Sequence, residues 1–141
     1  MDELFTYPEK IYGIFIAVPR RPRFPQVKYL FVFTNHRIIL FRGLEILKNP
    51  PPEINPHSRY IDWKHVSKVV ENIKGSYHIP LYEIKEITVN TYWRRITIYG
   101  YLMIIETYDG KKHKWNLRFE YLEAMKNLAQ ELGIPLNIIR K

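Results

Sequence analysis

The segment from Lys28 to Gly43 constrains the fold of this 141-residue chain more than any other part of the sequence. It reads KYLFVFTNHRIILFRG, two apolar runs that meet at the polar pair Asn35-His36. Aromatic and β-branched runs of this kind form strands, and Asn at the first turn position tolerates the positive φ that a two-residue turn demands. The segment therefore predicts a tight β-hairpin with Tyr29 opposite Arg42.

Both faces of this predicted hairpin are apolar. One face carries Leu30, Val32, Ile39 and Phe41, and the other carries Phe31, Phe33, Ile38 and Leu40. A sheet with one face in water alternates apolar and polar residues, and large exposed apolar patches are unusual on monomers. We therefore expect the outer face to be covered, either by a helix in Ser58–Lys74, which is our first choice, or by a second subunit.

Further strands are predicted, and the last two of them form a second hairpin. They run from Tyr12 to Val18, from Ile84 to Tyr92, from Ile96 towards Tyr99, from Tyr101 to Tyr108 and from Lys111 to Leu117. Asp109-Gly110 favours a two-residue turn between the last two strands. That turn would place Ile104 opposite Trp115 on a core face and Glu106 opposite His113. The other face, which is half wet, would then carry Tyr101, Met103, Ile105, Lys112, Lys114 and Arg118.

Two segments have the apolar spacing of amphipathic helices. Ser58–Lys74 has Val66, Val69, Val70 and Ile73 on one stripe and is followed by Gly75. Phe119–Leu132 has a similar stripe and is followed by Gly133 and Pro135, which are typical helix-stop residues. The pattern predicts a mainly β (α+β) protein with one inserted helix and one C-terminal helix.

Composition excludes several classes of function. The chain has no cysteine, so disulfides, zinc-thiolate sites and cysteine nucleophiles are ruled out. Neither HExxH spacing nor any Walker, GxGxxG or GxSxG motif is present, and we expect no catalytic residue, metal or cofactor. The acidic N-terminus MDELF and the lack of a membrane-spanning run favour a cytoplasmic protein, which could be peripheral to the membrane. Abundant Ile, Lys and Glu would suit a thermophilic or archaeal source.

Three segments resemble the pleckstrin-homology-like (PH-like) domains of bacteria and archaea. They are TNHRIILF, IPLYEIKEITV and GYLMIIETYDGKKHKW, and the resemblance extends from Val27 to Leu132. It implies a single PH-like domain over residues 1–141, a strongly bent, partly open antiparallel β-barrel of about seven strands closed at one end by the last helix. Residues 49–75 would then be an insert between strands. Eukaryotic members of this fold that bind phosphoinositides use basic residues around the loop between the first two strands.

The corresponding loop here is PRRPRFP, and it supplies the candidate binding site. The site consists of Arg20, Arg21 and Arg23 in the loop, with Lys28 and Arg42 at the neighbouring ends of the hairpin strands. Guanidinium groups bind phosphate in a bidentate manner, and a net charge of +8 favours an anionic partner. A second group, Trp93, Arg94 and Arg95, combines an aromatic and two cations at a predicted turn, as an interface or membrane contact would require.

Three classes of function remain open at this point. The first is a non-enzymatic binding or recruitment module that recognises an anionic ligand, a membrane surface or a protein partner through the basic loop. The second is a nucleic-acid-binding protein, since positive charge and 15% aromatic residues suit single-strand stacking. The third is a homo-oligomeric interaction protein that buries the doubly apolar hairpin between subunits.

Overall fold

A computed structural model describes residues 9–20, 27–44, 60–93 and 96–140, and within them the protein is mainly β. The strands are β1 Glu9–Pro19, β2 Tyr29–Thr34, β3 Arg37–Arg42, β4 Tyr60–Ile61, β5 Tyr77–Pro80, β6 Ile84–Asn90, β7 Tyr101–Thr107, β8 Lys112–Leu117 and β9 Leu136–Ile139. Helix α1 spans Trp63–Asn72 and helix α2 spans Leu122–Leu132. Short 3-10 helices lie at Leu81–Glu83 and Phe119–Tyr121. The mainly β prediction with an inserted and a C-terminal helix is confirmed.

All of these strands belong to one open sheet, in the order β5-β3-β2-β1-β8-β7-β6-β9, with β4 paired to β1. Neighbours are antiparallel except β9, which lies parallel to β6 after the turn at Gly133. The described residues contain nine strands, against the seven or so that we expected. The sequence pattern missed β4, β5 and β9, which have only two, four and four residues.

The β2–β3 hairpin has the predicted register, with Tyr29 opposite Arg42 and Phe33 opposite Ile38. Thr34 closes the turn because its hydroxyl oxygen accepts the backbone N–H groups of His36 and Arg37 at 3.1 and 3.0 Å. The residues of each predicted face therefore point to the same side of the hairpin.

Each face of the hairpin lies in its own hydrophobic cluster. Phe31, Phe33, Ile38 and Leu40 belong to the main core, which also contains residues of β1, β6, β7, β8 and α2. Leu30, Val32, Ile39 and Phe41 lie in a second cluster with Val66 and Val70 of α1. The predicted cover by the helix is confirmed, and we call the face on the main core the inner face and the other the outer face.

Helix α1 is shorter than the predicted Ser58–Lys74. It begins after Asp62, whose carboxylate accepts the backbone N–H of Lys64, and it ends at Asn72 because Ile73 is already extended. Gly75 follows two residues beyond this cap, with a φ of +89°. Residues 58 and 59 lie outside the described part of the chain.

The register predicted for the β7–β8 hairpin is wrong by one residue. Its loop has three residues, 108–110, because Thr107 donates its N–H to the Lys111 carbonyl and Gly110 donates its own back to the Thr107 carbonyl. Gly110 has a φ of +90°, as a three-residue turn with a glycine bulge requires. Met103 is therefore opposite Trp115, and both Met103 and Ile105 are buried in the main core instead of lying on a half-wet face.

Two further predictions for this half of the chain are wrong. His113 does not face Glu106, because the shifted register places Lys112 there. Residues 96–99 do not form a strand, and Thr97 and Gly100 instead close a tight turn. The predicted strand Ile84–Tyr92 ends at Asn90, whose side chain accepts the N–H of Tyr92.

Candidate functional site

Three cations lie on the outer face of the sheet: Arg20 directly after β1, Lys28 directly before β2, and Lys114 in β8. Side chains alternate along a strand, and because Ala17, Tyr29 and Trp115 point into the main core, Arg20, Lys28 and Lys114 point outward. Arg20 pairs with Lys114 across β1 and β8, through a 3.3 Å hydrogen bond from its N–H to the Lys114 carbonyl. We call Arg20, Lys28 and Lys114 the basic surface.

Lys28 lies one row away from this pair. The register of Ala17 with Tyr29 places Lys28 opposite Val18, which in turn is opposite Asn116 of β8. Lys28 and Lys114 are exposed, and neither makes an ion pair with a carboxylate of the described residues. Lys112 is not included in the basic surface because it faces Glu106.

A buried asparagine fixes the direction of the Arg20 side chain. The Asn116 carbonyl oxygen accepts hydrogen bonds from Arg20 Nη1 at 2.9 Å and from the Thr97 hydroxyl at 3.0 Å. Its amide nitrogen donates to the Pro19 carbonyl at 2.9 Å. The guanidinium group is thereby held before any ligand arrives, which reduces the entropy lost when a ligand binds.

Thr97 belongs to the tight turn that covers Asn116. The N–H of Thr97 bonds to the Gly100 carbonyl at 3.0 Å, and the N–H of Gly100 bonds back to the Thr97 carbonyl at 3.2 Å. At the tip of this turn Ile98 is 88% exposed, and Trp93, earlier in the same connection, is 66% exposed.

The structure brings together part of the predicted site. Arg20 and Lys28 lie on one face as expected, but Arg42 lies on the inner face, opposite Tyr29 and against Gly75. All three residues lie at neighbouring strand ends, but the alternation of side chains along β3 directs Arg42 to the opposite face from Arg20 and Lys28. The predicted Arg21, Arg23, Arg94 and Arg95 lie outside the described residues.

Lys114 and Asn116 were missed as parts of the site. The alternating Lys112, Lys114 and Asn116 of β8 did indicate a polar face. No local pattern indicates that this strand pairs with β1, so nothing connected Lys114 to Arg20. The missing information was a pairing between residues about a hundred positions apart.

A separate cleft lies at the other end of β7 and β8. It has a volume of about 550 Å³ and is lined by Tyr77, His78, Ile79, Glu83, Thr107, Tyr108, Asp109, Lys111 and His113. The Tyr77 hydroxyl and His113 Nδ1 form a hydrogen bond of 3.3 Å. Burial, helped by the nearby Tyr29, raises the pKa of Tyr77 to about 12, so its hydroxyl keeps its proton at neutral pH.

Burial also lowers the pKa of the imidazoles of His78 and His113, assisted by the charges of Arg37 and Lys111 respectively. As the pH falls below about 6.5, these two imidazoles take up protons in the unfolded chain before they do so in the folded protein. The stability that they contribute above that pH is therefore lost as the pH falls towards their lower pKa values in the folded protein. We expect the melting temperature to fall between about pH 8 and about pH 5.5.

The variant His113→Gln should show a smaller fall, because its side chain does not titrate but can still bond to Tyr77. Thermal denaturation of both proteins at the two pH values measures the difference. An equal fall in the variant would mean that His113 does not contribute to the pH dependence.

The described residues contain no group of three or more histidine and acidic side chains placed to hold a metal ion. Within the same ranges, no helix has the length and apolar character needed to cross a bilayer.

Comparison with known proteins gives a fold and no family. No family model matches the chain, and no curated protein matches it. Among solved structures it is similar to the hSac2 domain from the human phosphoinositide phosphatase Sac2, with a TM-score of 0.54 and 14% sequence identity. The alignment covers 100% of this chain and 83% of that one. At this identity the likeness concerns the fold alone.

Proposed function

We propose that this protein is a non-enzymatic binding module that recognises an anionic partner through its basic surface. The observation that carries the proposal is the convergence of Arg20, Lys28 and Lys114 onto one face, with Arg20 held by the buried Asn116. A planar guanidinium group recognises phosphate or carboxylate oxygens through two parallel hydrogen bonds. The lysines add charge that raises the local concentration of anions.

We further propose that the chain is a single PH-like domain whose sheet is strongly bent. Three short sequence segments support this, together with the inserted helix and the terminal helix α2 that packs on the main core. Arg21 and Arg23, which are outside the described residues, follow Arg20 in the sequence of the first loop and add two further positive charges to that segment of the chain. The proposal for the ligand does not depend on the family, because function depends on the site and not on the fold.

The two other functions have less support. The homo-oligomer hypothesis rested on an uncovered face of the β2–β3 hairpin, and α1 covers that face. Nucleic-acid stacking needs neighbouring aromatic side chains on one surface. The three most exposed aromatic side chains are instead divided between the two ends of β6. Tyr82 and Tyr108 lie at its start, where the Tyr108 N–H bonds to the Glu83 carbonyl, and Trp93 follows its other end. Binding of RNA or DNA in preference to other anions would favour that alternative.

The test is a triple variant, Arg20→Gln, Lys28→Gln and Lys114→Gln, which we call the basic-surface variant. Its affinity for polyphosphate should be lower than that of the wild type by about tenfold or more. Wild-type binding should weaken with added salt. Lys28 and Lys114 are exposed and contribute little to folding, and the Asn116 oxygen still accepts a hydrogen bond from Thr97 when Arg20 is replaced, so the melting temperature should change only slightly. Isothermal titration at two salt concentrations measures both the affinity and its salt dependence.

A control variant with the same change in net charge is Lys85→Gln, Lys111→Gln and Lys126→Gln. None of these three lysines belongs to the basic surface, and the control should bind polyphosphate nearly as well as the wild type. The proposal fails if the wild type shows no salt-sensitive binding, or if the two triple variants lose affinity equally.

A further inference from the structure

The cleft that borders β5 and the β7–β8 loop, which we call the β5 cleft, differs in charge from the rest of the protein. Among its described lining residues, Glu83 and Asp109 carry one negative charge each and Lys111 carries one positive charge. Burial lowers the pKa of His78 and His113, so both imidazoles are neutral at pH 7. Two negative charges and one positive charge give this lining a formal charge of −1, in a chain whose net charge is +8. A locally negative cavity favours a cationic ligand.

Aromatic rings and a hydroxyl group line the same cleft. The rings of Tyr77 and His113 have centres 5.7 Å apart and planes inclined by 30°, and the Tyr77 hydroxyl is hydrogen-bonded to His113 Nδ1. Tyr108 also lines the cleft and is 70% exposed. Its backbone N–H bonds to the Glu83 carbonyl at 3.0 Å, which joins the β7–β8 loop to the 3-10 helix that carries Glu83. A planar cation can stack on such rings while its N–H groups bond to carboxylate and hydroxyl oxygens.

The protein already holds one guanidinium group with the same kinds of side chain. The Arg37 guanidinium group bonds to the Glu9 carboxylate and lies 3.8 Å from the centre of the Trp63 ring, and the Thr34 hydroxyl bonds to the same carboxylate. The β5 cleft offers carboxylates, a hydroxyl and aromatic rings, and no arginine is among the described residues that line it. We propose that the β5 cleft binds the guanidinium group of a ligand, which is either a small molecule or an arginine side chain of a polypeptide.

The free edge of β5 adds backbone groups to this site. Among the described strands, β5 is the last of the sheet. The Leu81 N–H bonds to the His36 carbonyl, and bonded and non-bonded pairs alternate along an antiparallel ladder. The N–H and carbonyl of His78 therefore point away from β3. Tyr77, His78 and Ile79 are consecutive and all line the cleft, so the cleft follows this edge, and the His78 carbonyl is a further acceptor for a guanidinium N–H.

Other ligands fit the β5 cleft less well. Its volume of about 550 Å³ is in the range of small-molecule sites. An anion would lie beside two carboxylates, and the described residues contain no group of three or more histidine and acidic side chains placed to hold a metal ion. The cleft is also separate from the basic surface. His113 is opposite the buried Ile105 and lies on the inner face of β8, whereas Lys114 lies on the outer face.

The test measures the binding of butylguanidinium and of its uncharged analogue butylurea by isothermal titration. The wild type should bind butylguanidinium more tightly by about tenfold or more, because the charged group makes stronger hydrogen bonds. Glu83→Gln should lower this affinity about fivefold, and Lys111→Gln should raise it about twofold, because the two changes alter the local charge in opposite directions. Tyr108→Leu should lower it about threefold through the loss of a cation–π contact.

Glu131→Gln and Tyr82→Leu are the matched controls. Both residues are exposed, and neither is among the residues that line the cleft, although Tyr82 is next to Glu83 in the 3-10 helix. Both variants should bind butylguanidinium as the wild type does. Since Glu83 and Tyr108 are exposed as well, unchanged melting temperatures will show that folding is intact in all the variants.

An acetylated and amidated peptide with one arginine between glycines distinguishes the two sources of the guanidinium group. Tighter binding of this peptide than of butylguanidinium indicates an arginine of a polypeptide that also contacts the β5 edge, and equal or weaker binding indicates a small molecule. The inference is overturned if the wild type binds butylguanidinium no more tightly than butylurea, or if Glu83→Gln and Glu131→Gln bind it equally. Polyphosphate binding at the basic surface is measured separately, so failure of this inference leaves the proposed function standing.

Discussion

Replacing Glu9 with Ala is expected to lower the free energy of unfolding by about 3–5 kcal/mol. Glu9 Oε2 accepts a hydrogen bond of 2.9 Å from Arg37 Nε and one of 2.7 Å from the Thr34 hydroxyl. The side chains of Glu9 and Arg37 are only 6% and 17% exposed. Loss of the carboxylate therefore leaves a guanidinium charge that is neither paired nor well hydrated, a much larger cost than loss of a surface ion pair.

Because of the neighbours of Arg37, movement of its guanidinium group into water would be energetically costly. Its guanidinium carbon lies 3.8 Å from the centre of the Trp63 ring, and Trp63 is the first residue of α1. The ring of His78 contacts the ring of Trp63, with 4.6 Å between the two ring centres. Movement of Arg37 would thus disturb the packing of α1 on the β2–β3 hairpin.

Urea unfolding of the wild type, Glu9→Ala and the double variant Glu9→Leu with Arg37→Met measures this effect. The double variant should be more stable than Glu9→Ala, because it leaves no uncompensated charge. Glu123→Ala is the exposed control: its 3.2 Å ion pair with Lys126 is at the surface, and we expect a loss of at most about 1 kcal/mol. A loss below about 1 kcal/mol in Glu9→Ala would contradict the argument.

Gly100→Ala is expected to destabilise the protein by about 3 kcal/mol, the second largest effect. Gly100 has a φ of +136°, a conformation that residues with a side chain rarely adopt. In addition, its new methyl group would meet the Leu117 carbonyl oxygen and the Arg118 backbone. These are backbone atoms, so they cannot move aside without displacing the end of β8.

Gly110→Ala separates the two contributions. Gly110 also has a positive φ, of +90°, but no atom lies within 4 Å of a Cβ built there. This control should lose only about 1 kcal/mol, the conformational part of the cost. Equal destabilisation of the two variants, measured by urea unfolding, would show that the close approach at Leu117 has no energetic effect.

Local sequence predicted the β2–β3 hairpin completely because its register depends on nearby residues. Asn35 and His36 can only form the turn between two apolar runs, and every pair then follows by counting outward. The same reasoning predicted that α1 would cover the outer face, since that face had no other apolar partner of suitable length. Periodicity was sufficient wherever the decisive contact was local or strongly apolar.

The β7–β8 hairpin shows where local reasoning fails. Asp109-Gly110 is compatible with both a two-residue and a three-residue loop, and the two differ by one position in register. Thr107 decides between them, since its hydroxyl hydrogen-bonds to the Asp109 carboxylate and that carboxylate also accepts the N–H of Lys111. A shift of one residue exchanges the two faces, which is why Met103 and Ile105 were expected on the wrong side.

The candidate site was predictable only in part for a related reason. Arg20 and Lys28 flank one loop, so their proximity follows from the order of the first two strands. Lys114 joins them through the pairing of β1 with β8, which no local pattern indicates. Arg42 was expected in the same group because the prediction considered only which strand ends lie close together. It did not take into account the alternation of side chains along β3.

The pairing of β1 with β8 has a consequence for the whole molecule. Among the described residues, the strands β5-β3-β2-β1 are joined to the strands β8-β7-β6-β9 along the sheet by three residue pairs, from Ala17 to Pro19, and by the hydrogen bond from the Arg20 N–H to the Lys114 carbonyl. Contacts between such distant parts of a chain carry a large entropic cost and slow folding. Arg20 and Lys114 lie on opposite sides of this seam, so a ligand that bridges them holds the two halves of the sheet together, and occupancy of the site and cohesion of the fold are thermodynamically linked.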